Sequence, residues 1–234
     1  PVFTPVTNGL NIGVCLNNIL TNSDKTEFDN NLGIESKVLY NPLPKNDSVS
    51  TTYEEGYVLF AGRLEREHKG LDYLIDVIKK ISEEVPELRV TIIGDGPSHN
   101  WLNAEIEKAG LGEKVNLLGT TDNVYQFYER ASVMVQTSRW EGFGMTILEA
   151  MSCGIPVVAF HNYGPDEIVR DSVDGYLVDH FDTETFAKKV VEILKQPEQR
   201  KQMGKCAIER SRDFSLEKVL PLFKQYLEEA TKGL

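Results

Sequence analysis

From residue 57 onward, short runs of β-branched and apolar residues alternate with longer stretches whose apolar positions recur every three or four residues. No other feature restricts the fold so strongly. Tyr57–Ala61, Leu88–Ile93, Val115–Leu118, Ser132–Gln136, Val157–Phe160 and Tyr176–Val178 read as six strands. Leu71, Leu74, Ile75 and Ile78 mark the apolar face of one intervening helix, and Phe186, Val190, Ile193 and Leu194 that of another. Alternation of this kind predicts the α/β class with a doubly wound parallel sheet. Ligands of such sheets bind at the carboxyl ends of the strands. The unusual residues fall there: Gly62-Arg63, the Gly94 to Pro97 turn, Gly119 to Asp122, and the turn that starts at Glu141.

The first fifty residues differ, being rich in Asn and Thr. Ile12 to Leu20 reads as a weak strand, Ser23 or Asp24 as the cap of a short helix through Asn31, and Lys37–Tyr40 as a second strand. A strand-helix-strand piece of this size buries no core of its own, so residues 1–45 are expected to be the tail of another domain. Residues 46–56 read as a polar linker, 57–212 as the main domain and 213–234 as a final helix, in which Pro221 is expected to force a kink or a restart.

A net charge of -11 argues against nucleic acid as a partner, so an anionic ligand must be held by local cations. No run of about 18 apolar residues is present, which excludes a helical membrane span by sequence, and no basic stretch followed by an apolar one marks a signal peptide. Cys15, Cys153 and Cys206 are too few for a disulfide framework and fit small core positions in a reducing compartment, so a cytoplasmic protein is expected. No His or Cys pair has zinc spacing, and His68, His99 and His180 lack triad partners. His161 reads as a surface-loop residue. Neither a metal nor another cofactor is expected.

Glu141-Gly142-Phe143-Gly144-Met145-Thr146-Ile147-Leu148-Glu149 puts two carboxylates around a glycine-rich turn that opens a helix. Gly142 and Gly144 let a ligand approach the backbone, and bare amides at a helix N-terminus attract oxygen-rich or anionic groups. Glu141, before the turn, can reach a hexose, and Glu149, two turns on, can accept from vicinal hydroxyls. Arg63 and Lys69 flank another loop and can converge on a diphosphate, although a solvated charged loop would carry the same residues. Thr120 and Thr121 could equally be turn formers, and a tight turn alone accounts for Gly94 to Pro97.

Together, Gly62-Arg63-Leu64 with Lys69-Gly70, Gly94-Asp95-Gly96-Pro97, the Glu141 to Glu149 stretch, Gly154 to Val158 and Asp174 to Val178 resemble the donor-binding half of family 4 retaining glycosyltransferases. That family has two Rossmann-like domains in the GT-B architecture, and the resemblance runs from about Asn22 to about Leu227. It implies that Arg63 and Lys69 hold the donor diphosphate, with Gly62 also in the donor site. Glu141 and the backbone at Phe143, Gly144 and Met145 would contact the transferred hexose, with Gly142 and Thr146 also in the donor site, Glu149 would bind the ribose, and the base would sit against Gly119, Thr120 and Thr121. Glu141, Arg63 and Lys69 would carry the catalytic roles. His161 to Pro165 departs from the glycine pair of many members.

The resemblance further implies a nucleoside diphosphate sugar as co-substrate, uridine favoured, and a glycan, lipid-linked or polymer acceptor. It also implies an N-terminal acceptor domain or partner chain that completes the enzyme, with membrane contact, if any, made through that part. A nucleotide-sugar-binding subunit without activity of its own is the alternative, and an epimerase of the same architecture a third reading.

Overall fold

The computed structural model describes residues 18–32, 36–44 and 56–231. Along them run β1 (Asn18–Ile19), α1 (Asn22–Leu32), β2 (Lys37–Val38), β3 (Tyr57–Ala61), α2 (Arg66–Lys69), α3 (Leu71–Glu84), β4 (Val90–Ile93) and α4 (His99–Lys108). Then follow β5 (Val115–Gly119), α5 (Tyr125–Tyr128), β6 (Ala131–Gln136), α6 (Met145–Ser152), β7 (Val157–Phe160), α7 (Tyr163–Ile168) and β8 (Gly175–Val178). The helices α8 (Thr183–Lys195) and α9 (Pro197–Ser211), a 3-10 turn at Arg212–Phe214 and α10 (Leu216–Thr231) complete the order.

Six strands form one sheet in the order β5-β4-β3-β6-β7-β8, with every neighbouring pair parallel. The expected doubly wound α/β fold is therefore present. Residue alternation sorts the side chains of each central strand between two cores. Val58, Phe60, Val133, Val135, Val158 and Phe160 enter the core that holds the apolar faces of α3, α4 and α8. Leu59, Ala61, Met134, Val157 and Ala159 enter the opposite core with α6, α7 and Ala207 of α9. Strand order reverses between β3 and β6, which opens a crevice at their carboxyl ends.

Some boundaries differ from the sequence expectation. Leu88 closes a turn onto the Val85 carbonyl, so β4 starts at Val90. Helix α1 starts one turn position earlier than Ser23 or Asp24 would allow. The Thr21 hydroxyl accepts from the Asp24 amide at 3.0 Å and donates to the Asp24 carboxylate at 2.8 Å, so Thr21 is the cap. The strand expected over Lys37–Tyr40 ends at Val38, because Tyr40 turns away to pack on Phe143 and Phe214 at ring distances of 6.0 and 5.0 Å. The expected restart at Pro221 does not occur. Losing the one amide that would bond the Glu217 carbonyl does not end a helix of 16 residues. Most of the weak strand expected from Ile12 and nearly all of the linker lie outside the described residues.

β1 and β2 pair in parallel and, with α1, lie against the main domain. Asn22 donates to the Glu167 carboxylate through its backbone and side chain, each at 2.8 Å, and Tyr40 Oη donates to the same group at 2.6 Å. Burial and the neighbouring Glu167 push the Tyr40 phenol up to about 12. No helix among the described residues is long and apolar enough to cross a membrane.

Three loops are stitched together at the carboxyl edge. Gly62 N donates to Ile93 O at 3.0 Å, Leu64 N to Asp95 O at 2.9 Å and Gly94 N to Gly119 O at 2.8 Å. Gly94 has φ +138°, and a Cβ there would lie 1.8 Å from the Gly62 carbonyl oxygen. Backbone approach, more than the turn itself, accounts for this glycine. Gly94→Ala should therefore cost about 3 kcal/mol of stability in denaturant unfolding. A cost below about 1 kcal/mol would show that the two loops separate freely.

Candidate functional site

The loop after β3 contains the single-turn helix α2, and Gly70 ends it in the left-handed region at φ 60° while also starting α3. A Cβ on Gly70 would lie 2.1 Å from the Thr137 carbonyl oxygen, so only glycine lets this loop close on the end of β6. The Thr137 hydroxyl then donates to the Lys69 carbonyl at 3.1 Å. These contacts fix the backbone on either side of the Lys69 side chain.

Lys69 Nζ lies 2.7 Å from Glu141 Oε2, with side-chain exposures of 14% and 11%. The same oxygen accepts from Gln136 Nε2 at 2.9 Å and from the Ser138 hydroxyl at 3.5 Å. Two predicted residues from loops far apart in sequence therefore meet at the β3–β6 crevice. Glu141 is held from behind as well: its amide donates to Asn162 Oδ1 at 3.2 Å, and Asn162 Nδ2 donates to the Ser138 carbonyl at 2.9 Å. Gln136 Oε1 is buried and has no hydrogen-bond partner.

Helix α6 begins directly after this loop, with Gly144 at its N-terminus and no side-chain cap, so its amide field opens beside Glu141. A Cβ on Gly142 would meet nothing within 4 Å, and one on Gly62 nothing nearer than 3.8 Å. Packing within the protein does not require glycine at either place. The Phe143 side chain is buried beneath Tyr40, which leaves its backbone as the part able to meet a ligand. Met145 and Thr146, in the first turn of α6, are half-buried.

Glu149, two turns along α6, accepts from the hydroxyl of fully buried Tyr128 at 3.1 Å. Burial raises its carboxyl above the ordinary carboxylate range, against the lowering effect of the Tyr128 hydrogen bond. The Tyr128 phenol is pushed up in turn by burial and the neighbouring carboxylate.

Other predicted residues stand apart from the Lys69–Glu141 pair. Arg63 points to solvent with its side chain 72% exposed and Glu65 3.8 Å away, so it does not converge with Lys69 in this state. The Thr121 hydroxyl accepts from the Asn123 amide at 3.2 Å, which is turn chemistry, while Thr120 is exposed at the end of β5. Both lie on the carboxyl edge, two strands from β3. His161 is tied to Asp166 by its Nδ1 at 2.9 Å.

Sequence reasoning missed Gln136, Ser138 and Asn162 as supports of Glu141. A polar residue at the end of the otherwise apolar β6 run was a signal for Gln136. It also missed Arg139, which binds both oxygens of Asp72 at 3.0 and 2.6 Å, lies 4.2 Å from the Tyr73 ring centre and reaches the Arg66 and Glu67 carbonyls. Burial works against ionisation of Asp72, but Arg139 overcomes it and holds the carboxyl below its usual range. This pair clamps the loop after β6 to the start of α3.

The sequence pattern of the group described as Glycosyl transferases group 1 matches residues 45–210. The chain belongs to that family. An uncharacterized glycosyltransferase of Methanocaldococcus jannaschii is 34% identical over 223 residues, with 89% of this chain and 60% of that protein covered. The amylovoran biosynthesis glycosyltransferase AmsD of Erwinia amylovora is 29% identical over 188 residues, with 80% and 52% covered. A crystal structure of a TarM mutant from S. aureus, in complex with fondaparinux, alpha-GlcNAc-glycerol and UDP, superposes with a TM-score of 0.82 at 25% identity. It covers 89% of this chain and 43% of that one. The six-stranded sheet is thus that of the C-terminal, Rossmann-like domain of GT-B glycosyltransferases. The chain spans 60% or less of the length of these three proteins.

The raised Glu149 carboxyl gives a signed pH dependence. Folded Glu149 keeps its proton to higher pH than the unfolded chain does, so its contribution to stability is complete in acid and is lost as pH rises through the folded value. Glu149→Gln removes that titration and keeps an acceptor for Tyr128. The stability difference between variant and wild type should grow with pH across this window and level off above it, as followed by urea unfolding between about pH 4 and 8. Parallel pH profiles would show that burial does not perturb Glu149.

Proposed function

We propose that this chain is the donor-binding half of a retaining, family 4 glycosyltransferase that moves a hexosyl unit from a nucleoside diphosphate sugar to a glycan, lipid-linked or polymer acceptor. The observation that carries this reading is the half-buried Lys69–Glu141 pair at the β3–β6 crevice, beside the uncapped N-terminus of α6. A lysine and a helix N-terminus suit a diphosphate, and a carboxylate held by Gln136 and Ser138 suits sugar hydroxyls. The solvent-directed Arg63 adds a second cation that can swing onto the phosphates. UDP in the TarM complex supports a uridine nucleotide.

In this proposal Lys69, Arg63 and the α6 amides stabilise the negative charge that builds on the diphosphate as the glycosidic bond breaks. Glu149 accepts from the ribose hydroxyls, with Tyr128 orienting its other oxygen. The departing diphosphate takes the proton of the acceptor hydroxyl on the same face, which gives retention. The neutralising is done by side chains and amides without a divalent ion. Transfer is assigned to the assembly with an N-terminal domain, so the 234-residue chain should bind donor without transferring it. The relatives are longer than this chain, which leaves room for such a domain.

Two substitutions separate the roles, each followed by calorimetry with UDP. Arg63→Ala should weaken binding about tenfold, because a charge-assisted hydrogen bond contributes roughly 1.5 to 3 kcal/mol, and EDTA should leave binding unchanged. Loss of binding in EDTA would overturn the cation assignment. Glu141→Gln should hold or raise UDP affinity, since it frees Lys69 from its partner while UDP has no sugar to touch. In the full-length enzyme the same change should lower kcat by about a hundredfold or more, because a carboxylate near a developing oxocarbenium matters most in the transition state. If Glu141→Gln abolished UDP binding, Glu141 would instead be a brace for the Lys69 loop.

A further inference from the structure

A second concavity lies on the far side of the Glu141 loop, at the carboxyl ends of β7 and β8. It has a volume of about 390 Å3 and is lined by Trp140, Tyr163, His161, His180, Asp166 and Ser23, with Arg139 and Asn162 at its base. Its rim is aromatic. Trp140 is 60% exposed and Tyr163 44%, and Phe181, next to His180, is 55% exposed. Among the described residues these are three of the four exposed large aromatic side chains, the other being Phe28.

The rings are held in place. The Trp140 ring lies 6.4 Å from that of His68, and Phe181 packs against Tyr73 and His180 at 5.2 and 5.0 Å. Phe181 itself sits at φ 70°, in the left-handed region that a bulky residue seldom adopts. Tyr163 is fixed by its hydroxyl, which donates to Glu27 of α1.

Charge narrows the choice of ligand. Both terminal guanidinium nitrogens of Arg139 are engaged by Asp72 and His161 is paired with Asp166, so apart from the His180 imidazole the lining offers a phosphate no group without a carboxylate partner. Exposed ring faces beside a carboxylate, a hydroxyl and imidazoles match instead a neutral pyranose, which has an apolar C–H face and a polar hydroxyl edge. The cavity also shares its wall with the proposed site, because Trp140 precedes Glu141, the Asn162 side chain holds the Glu141 amide, and Gly164 N donates to the Glu141 carbonyl at 3.0 Å.

We propose that this aromatic-rimmed cavity is an acceptor subsite, which holds a neutral glycosyl residue against Trp140 and Tyr163 beside the Glu141 loop. The assignment of the bound sugar as acceptor rests on the transferase reading above. Binding of the sugar itself does not. Trp140, rather than any residue of the Lys69–Glu141 pair, then sets the preference for the acceptor's sugar.

The test applies the 234-residue chain to a printed array of neutral glucosyl-, galactosyl- and N-acetylglucosaminyl-terminated oligosaccharides, with poly(glycerol phosphate) as an anionic probe, alongside calorimetry with UDP. Wild type should be retained on at least one neutral oligosaccharide. Trp140→Ala should lower that signal at least tenfold, Trp140→Phe should restore part of it, and both variants should bind UDP as wild type does. Retention that is absent on every neutral probe, equal for wild type and Trp140→Ala, or confined to poly(glycerol phosphate) would overturn the subsite. Loss of UDP binding by the wild-type chain, with glycan retention intact, would instead overturn the donor-site reading and leave a glycan-binding cavity.

Discussion

Burial of β3, β6 and β7 on both faces is the constraint from which the rest follows. Leu59 and Phe60 on adjacent positions of β3 each have no exposed surface, yet they belong to opposite cores, so no face of the central sheet is left to bind anything. Polar chemistry is displaced to the strand ends, and the reversal of strand order between β3 and β6 selects one place along that edge. The Lys69–Glu141 pair lies at that place.

Backbone contact, more than side-chain packing, assembles the site. The loops after β3, β4 and β5 are joined by amide-carbonyl bonds, and Gly70 lets the Lys69 loop touch the end of β6. A half-buried ion pair is costly unless its members are positioned and its remaining oxygens and protons are used. At Glu141 three donors, Lys69, Gln136 and Ser138, converge on the one oxygen Oε2, while Asn162 holds the backbone amide. Arg139 works at one remove, tying the same loop to α3 through Asp72.

The strands and the two long amphipathic helices were legible because their periodicity is local and the core is continuous. The Glu141 to Glu149 turn was legible because two glycines and two acids within one short stretch have few structural uses. Contacts between loops were not. Lys69 and Glu141 are 72 residues apart and Arg139 and Asp72 are 67 apart, and no local pattern records which strand ends become neighbours. Thr21 rather than Ser23 capped α1 for a related reason: several adjacent polar residues are chemically suited, and the backbone direction decides among them. The sequence also could not show that Arg63 and Lys69 part company, since that depends on Glu141 competing for one of them.

Tyr40 is one of several links between the two parts of the described chain, and it makes three contacts at once. Its hydroxyl bonds Glu167 on α7, its ring lies on Phe143 within the glycine-rich turn, and it contacts Phe214 just before the last helix. With its phenol raised to about 12, Tyr40 remains a protonated donor throughout the physiological range, so this joint neither loosens nor tightens with ordinary changes in acidity. Any shift of the α1 and β2 unit would therefore press first on the Phe143 ring within the glycine-rich turn, by a route that bypasses the sheet.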